Sequence, residues 1–295
     1  MSRLAGVLNI YKEKGYTSSD AVSVVRKILG PIKAGHTGTL DPQAEGVLPV
    51  CVGKATKIAD YIRGEKEYRA ELKLGVTTDT DDLTGKILSE SPVSVSRDCL
   101  ENTARAFMGV SLQTPPMYSA VKVGGKKLYE LARAGKTTDR TPREIYISRI
   151  ELLEYNSETH TAVMDVACSK GTYIRSLCAD IGRTLHYGGC MGTLLRTRSG
   201  SFFVKDSVTL ETLREFFAAG RVNELLYSIE QTLGYDTVRA PASGEKHILN
   251  GASFPINGGG VREGELVFVE VNGLTAGIYM REGDWYKPRV MLIGE

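Results

Sequence analysis

Two stretches far apart in the chain alternate apolar and polar residues with a period of two, and this pattern limits the fold more than any other feature of the sequence. Tyr68, Ala70, Leu72 and Leu74 alternate with Arg69, Glu71 and Lys73, and Ala162, Met164, Val166 and Cys168 repeat the arrangement. Successive strand residues point to opposite faces, so each stretch reads as a strand with one buried face. Helical spacing lies elsewhere. Val22, Val25, Ile28 and Leu29 form one apolar stripe, opened by Ser18 or Ser19 as cap and stopped by Gly30-Pro31. Ile174, Leu177, Cys178, Ile181 and Leu185 form a second, with Tyr173 and Arg175 at its first turn. Strands and helices mix without a regular βαβ rhythm, which predicts an α+β fold rather than a doubly wound sheet.

The 295 residues exceed the usual size of one domain, and 42% hydrophobic with 24% charged residues supplies a sizeable core. The composition shifts near residue 240, after two short helix-like segments, one with Leu210, Leu213, Phe216 and Phe217 and one with Leu225, Leu226 and Ile229. Beyond it the pattern is mostly strand: a Gly258 to Gly260 run precedes two strands, 265–271 and 274–280, that flank Asn272-Gly273, a strong two-residue hairpin signal. The predicted division is residues 1–240 and 241–295. No stretch approaches the ~20 apolar residues of a membrane span, and the N-terminus lacks the apolar core of a signal peptide, so a cytoplasmic protein is expected. Five cysteines, odd in number and without a CxxC pair, argue for reduced thiols rather than a disulfide framework or zinc.

A formal net charge of +2 does not by itself imply a nucleic-acid partner. Its distribution says more. Lys122, Lys126, Lys127, Arg133 and Lys136 crowd one segment, and Arg196 and Arg198 follow Leu194-Leu195, as phosphate contacts or simply as a solvated basic face.

Chemistry points to the stretch 35–49, GHTGTLDPQAEGVLP, which holds one carboxylate, Asp41, among glycines with no metal ligands beside it. Pro42 pushes Asp41 toward extended backbone angles, and Gly35, Gly38 and Gly46 lack the Cβ that would keep another backbone away. A lone Asp-Pro dipeptide would be a surface turn; fifteen ordered positions carry more. The acidic run 79–85 faintly suggests a calcium loop, but Leu83 replaces an oxygen ligand and its glycine sits one place late. Neither a metal nor a cofactor is expected, and no Walker loop is present.

Taken whole, that stretch resembles the catalytic motif of the TruB family of pseudouridine synthases, which isomerise uridine 55 in the T loop of tRNA. GVLNIYKEKGYTSSDAV, KEYRAELKLG, PPMYSAVKVGGKKLYELAR, CSKGTYIRSL and LLRTRSGSF are similar to family blocks in family order. The first departs from it, reading Tyr11-Lys12-Glu13-Lys14-Gly15 where the family has Asp-Lys-Pro-x-Gly, which bears on the role of Lys12. The resemblance implies a mixed, largely antiparallel sheet with flanking helices and a small PUA-like RNA-binding domain after it. It also implies a catalytic set of Asp41 as nucleophile, Arg175 paired with it and Tyr68 stacking on a flipped uracil. Substrate contacts would come from His36, which fills the vacated stack, and from Tyr173, Leu194 and Lys12. The expected partner is tRNA, bound by a monomer with no obligate protein partner. Relatives that use guide RNAs, or a non-catalytic RNA-binding protein on the same scaffold, are the alternatives; the intact Asp41, Tyr68 and Arg175 set speaks against the latter.

Overall fold

The computed structural model describes residues 4–119, 121–136, 138–256 and 260–293. The glycines at 258 and 259 lie outside the described residues, as do the side chains of Lys122, Lys126, Lys127 and Arg133 from the basic segment. The first part of the chain comprises β1 (Gly6–Lys12), α1 (Ser18–Leu29), β2 (Ala34–His36), β3 (Glu45–Val52), β4 (Lys66–Leu74), β5 (Val76–Thr78), β6 (Ile87–Glu90), α2 (Arg97–Arg105) and β7 (Gly109–Gln113). Next come β8 (Lys122–Val123), β9 (Lys126–Lys127), α3 (Leu128–Arg133), β10 (Arg143–Asn156), β11 (Thr161–Cys168), α4 (Ile174–Thr184), β12 (Gly189–Ser199), β13 (Phe202–Phe203), α5 (Leu210–Ala218), β14 (Leu226–Tyr227) and α6 (Ile229–Leu233). The last part holds β15 (Thr237–Arg239), α7 (Glu245–Leu249), β16 (Phe254–Pro255), β17 (Leu266–Val271), β18 (Leu274–Glu282) and β19 (Trp285–Met291).

One mixed sheet dominates, in the order β14-β1-β3-β12-β4-β11-β10-β7, with β13 on β12 and β2 on β3. Its strand pairings are antiparallel except for β3 with β12. The fold is α+β, as expected. Strand β4 sits at the centre because its alternating face is covered: Tyr68, Ala70, Leu72 and Leu74 are buried, while Tyr68 faces Val166 of β11 on one side and Arg196 of β12 on the other. Helix α4 lays Ile174, Leu177, Cys178 and Ile181 onto that core. It approaches β12 where Gly182 meets Gly188 and Gly189; a Cβ on Gly182 would lie 2.4 Å from their backbone.

Helix α1 packs Ala21, Val22, Val25 and Leu29 against Leu8, Ile10, Leu48 and Val50 of β1 and β3. Its cap is Thr17, in a capping box with Asp20, rather than Ser18 or Ser19. The hydroxyl of Ser18 is engaged elsewhere. Gly30 ends the helix at a φ of 85°, a conformation that suits glycine.

A second sheet, β15-β17-β18-β19-β16, closes the chain. Asn272 and Gly273 join β17 to β18 with φ of 51° and 77°, as a type I′ turn requires. This sheet begins at Thr237, because β15 pairs in parallel with β17. It is not packed apart from the first: Phe268, Ile278 and Leu292 share one core with Val7, Val47, Cys51, Ile58 and Phe202. Several of its basic residues are paired internally, Lys287 and Arg289 with Glu282 and Arg262 with Glu265.

Candidate active site

The loop 37–44 between β2 and β3 carries Asp41, and three buried side chains hold it by its backbone. Ser18 Oγ accepts from the Leu40 N–H at 2.8 Å and donates to the Leu40 carbonyl at 3.1 Å. Lys12 Nζ donates to the carbonyls of Tyr16 (2.7 Å), Glu13 (3.1 Å) and Pro42 (3.4 Å). Arg196 donates from Nε to Val47 O (2.7 Å), from Nη2 to Gly38 O (3.1 Å) and from Nη1 to Thr39 O (3.4 Å). Each gives partners to backbone polar groups beneath the loop, which would cost about 1–3 kcal/mol apiece if left buried and unpaired.

Asp41 faces a cavity of about 270 Å³ whose lining includes Leu40, Lys66, Tyr68, Tyr173, Arg175, Leu194 and Arg196. Asp41 is the single carboxylate among the described residues of that lining. The Nε of Arg175 forms an ion pair with its Oδ2 at 2.8 Å. The other two guanidinium nitrogens are committed, Nη1 to Thr80 O (3.0 Å) and Nη2 to Tyr118 O (2.8 Å), with Asp82 Oδ2 at 3.9 Å from Nη1. The contact with Asp41 is therefore single-pronged. Asp82 in turn is fixed by the N–H and hydroxyl of Thr84 and the hydroxyl of Thr80, so the acidic run anchors Arg175. Among the described residues no group of three His, Cys, Asp or Glu could hold a metal ion.

Tyr68 and Leu194 reach the cavity from neighbouring strands, Tyr68 from β4 and Leu194 from β12, and burial raises the Tyr68 phenol above its ordinary pKa. Tyr173 caps α4, and the amide of Gln113 clamps its backbone, accepting from its N–H at 2.7 Å and donating to its carbonyl at 3.0 Å. Two expected contacts lie outside the lining. Lys12 is fully buried beneath the loop, its ammonium spent on carbonyls and pushed down by burial to a pKa of about 8. His36 ends the edge strand β2; it is half-buried, its Nδ1 lacks a hydrogen-bond partner among the described residues, and burial lowers its pKa.

Sequence reasoning missed three parts of this arrangement. Arg196 was expected among phosphate contacts, yet it is wholly buried beneath the loop. Gln113 and the cavity-lining Lys66 carried no signal beyond position: Lys66 stands two residues before Tyr68, on the same face of β4.

A carboxylate paired with a buried guanidinium thus lies in a cavity whose wall combines Tyr68, Tyr173, Leu40 and Leu194 with basic side chains. Residues 26–174 match the sequence profile described as "TruB family pseudouridylate synthase (N terminal domain)", and residues 175–233 match "tRNA pseudouridylate synthase B C-terminal domain". The chain belongs to the TruB family of pseudouridine synthases and is an isomerase. It is similar to tRNA pseudouridine synthase B of Alkaliphilus oremlandii, 48% identical over 248 residues that cover 83% of this chain and 81% of that one. The protein of the same name from Clostridium perfringens is 43% identical over 297 residues, 98% of this chain and 99% of that one. Among solved structures, a chain of "Crystal Structure of a Cbf5-Nop10-Gar1 Complex" superposes with a TM-score of 0.74 at 27% identity, covering 98% of this chain and 85% of that chain. A chain of "Structure of H/ACA RNP bound to a substrate RNA containing 2'-deoxyuridine" gives 0.73 at 25% identity with the same coverage. No helix among the described residues is long and apolar enough to cross a membrane.

Proposed function

We propose that the protein isomerises uridine to pseudouridine at position 55 in the T loop of tRNA, with Asp41 as the nucleophile acting on a flipped-out nucleotide. The observation that carries this reading is the 2.8 Å contact between Arg175 Nε and Asp41 Oδ2 at the wall of the cavity. That contact sets a cation against the one carboxylate of the described lining, the group placed to react. Isomerisation breaks the N1–C1′ bond, turns the uracil and joins C5 to C1′. Asp41 either adds at C1′ or removes a proton from C2′, and in both routes the uracil leaves with the N1 electron pair. Tyr68 offers a ring face on which the free uracil can turn without escaping, while Tyr173 and Leu194 bound the same space.

Full-length relatives named as single enzymes support action as a monomer on tRNA, without the partner chains that the Cbf5 complex title names. The second sheet supplies an RNA-binding face of PUA-like type. The test is Asp41→Asn, incubated with unmodified tRNA and mapped by carbodiimide primer extension. Isomerisation should vanish while tRNA affinity stays within about tenfold, since the amide keeps the shape and loses the charge. Retention of a few per cent of wild-type turnover would remove Asp41 from the central role.

A further inference from the structure

We propose that Lys66 is a catalytic residue of this site: its ammonium donates a hydrogen bond to the uracil as the N1–C1′ bond breaks and holds the negative charge the departing ring acquires. The inference rests on the proposed isomerisation and holds for either route. When Asp41 adds at C1′, its carboxylate becomes a neutral ester and the electron pair of N1–C1′ stays on the ring. When Asp41 takes the C2′ proton, it becomes a neutral acid, a C1′–C2′ double bond forms, and the same pair stays on the ring. Either way one negative charge moves from Asp41, where Arg175 balances it, to the uracil, where something else must. Joining C5 to C1′ returns that charge to Asp41, by breaking the ester in the first route and by giving the proton back to C2′ in the second; the neutral ring then loses its C5 proton to solvent and gains one at N1, so Lys66 keeps its own proton throughout.

Four cationic side chains line the cavity among the described residues: Lys66, Lys170, Arg175 and Arg196. Arg175 is committed to Asp41 and two carbonyls, and Arg196 to three carbonyls. Lys170 is exposed and suited to a phosphate rather than to a sequestered base. Lys66 is 5% exposed, and among the described residues its one hydrogen bond goes to Ser199 Oγ at 2.7 Å. An ammonium has three donors, so two remain for a ligand. Such a group is costly to bury, and the Arg196 and Lys170 charges beside it add to that cost rather than relieve it. Away from water the same ammonium acts strongly on a charge that develops nearby, and it is preorganised before the reaction begins. Its place beside Tyr68 on β4 is where a stacked base would lie.

The test uses single-turnover conversion at saturating enzyme on a T stem-loop RNA, with affinity measured separately. Lys66→Met keeps the apolar stem and should slow conversion by about 100-fold or more, the scale of losing one donor to a developing oxyanion, with affinity within about threefold of wild type. Lys66→Gln, which keeps a donor without the charge, should fall between, and it carries the test should the Met variant fail to fold. A stem-loop with 5-fluorouridine at the target makes the departing ring a better leaving group, so the Met variant's deficit in N1–C1′ cleavage should shrink by about tenfold. Near-normal conversion of uridine by the Met variant, equal deficits on the two substrates, or a loss of affinity without a loss of rate would each overturn the assignment. Failure of wild-type enzyme to convert the stem-loop would instead bring down the isomerisation reading together with this one.

Discussion

Burial brings the Lys66 ammonium from an ordinary pKa of 10.5 down to about 8, and a shift of that size is also a statement about stability. Between those values the unfolded chain holds a proton that the folded chain has released, so this group makes stability rise with pH across that window. Below pH 8 the charged, buried amine costs the native state on the order of 3 kcal/mol. Lys66→Met should therefore melt above wild type at pH 7, less about 1 kcal/mol for the Ser199 hydroxyl left without its donor, and the advantage should fade between pH 8 and 10.5. Lys12 has a similar shift in both proteins, so the difference between their melting curves isolates Lys66; a Met variant less stable at every pH would refute the prediction. Arg175→Lys makes a second case. A lysine can restore the single contact with Asp41 but not the bonds to Thr80 and Tyr118. Single-turnover rate should drop about 100-fold in the Lys variant and at least another tenfold in Arg175→Ala. A Lys variant as fast as wild type would mean that the two carbonyl bonds contribute nothing.

The parallel pairing of β3 with β12 joins the loop of Asp41 to the strand that carries Leu194 and Arg196. It depends on Gly46, whose φ is 102° and where a Cβ would fall 2.3 Å from the carbonyl oxygen of Arg196. Gly46→Ala should lower the free energy of unfolding by more than about 2 kcal/mol, read as a shifted denaturant midpoint at constant slope, and should abolish conversion. A stable but inactive variant would point to a local change at Asp41 alone. Much of this framework was legible in the sequence. Period-two alternation located β4 and β11, helical spacing located α1 and α4, and Asn272-Gly273 located the β17–β18 turn. The parallel contact was not legible, because two register pairs, Leu195 with Glu45 and Arg196 with Gly46, are too short a match to leave a periodic trace. Arg196 was misread for a related reason: its burial is set by carbonyls of the Asp41 loop and of β3 some 150 positions away, Val47 O at a separation of 149, and a charged residue in a basic run looks like a surface group. Leu225 and Leu226 read as helix yet fall in a 3-10 turn and the edge strand β14, where tertiary pairing with β1 overrides local preference.

At the scale of the whole chain, the second sheet shares a core with the first. A boundary near residue 240 suggests a module that could be cut away, but Phe268, Ile278 and Leu292 cover Val7, Val47, Cys51 and Ile58, and Lys57 Nζ reaches Met291 O at 2.8 Å. Removing residues beyond 240 should therefore expose an apolar face and unfold or aggregate the remainder, rather than simply weaken its hold on RNA. Calorimetry of the intact chain should give one cooperative transition, and Phe268→Ala should lower stability by about 3–5 kcal/mol across that whole transition. Two separated transitions, only the smaller of which moves in the Phe268 variant, would establish independent modules.

The anchors of the Asp41 loop take hold of main chain alone: Ser18 grips Leu40, Lys12 grips Pro42, and Arg196 grips Gly38, Thr39 and Val47, every bond ending on a backbone N–H or carbonyl. Such a clamp is blind to the identity of the side chains it holds in place. Thr39, Pro42 and Gln43 are exposed, and even Gly38 has ordinary van der Waals room for a Cβ. A changed side chain at Gly38, Thr39 or Gln43 therefore leaves the clamp intact, with the carboxylate still in register with its arginine.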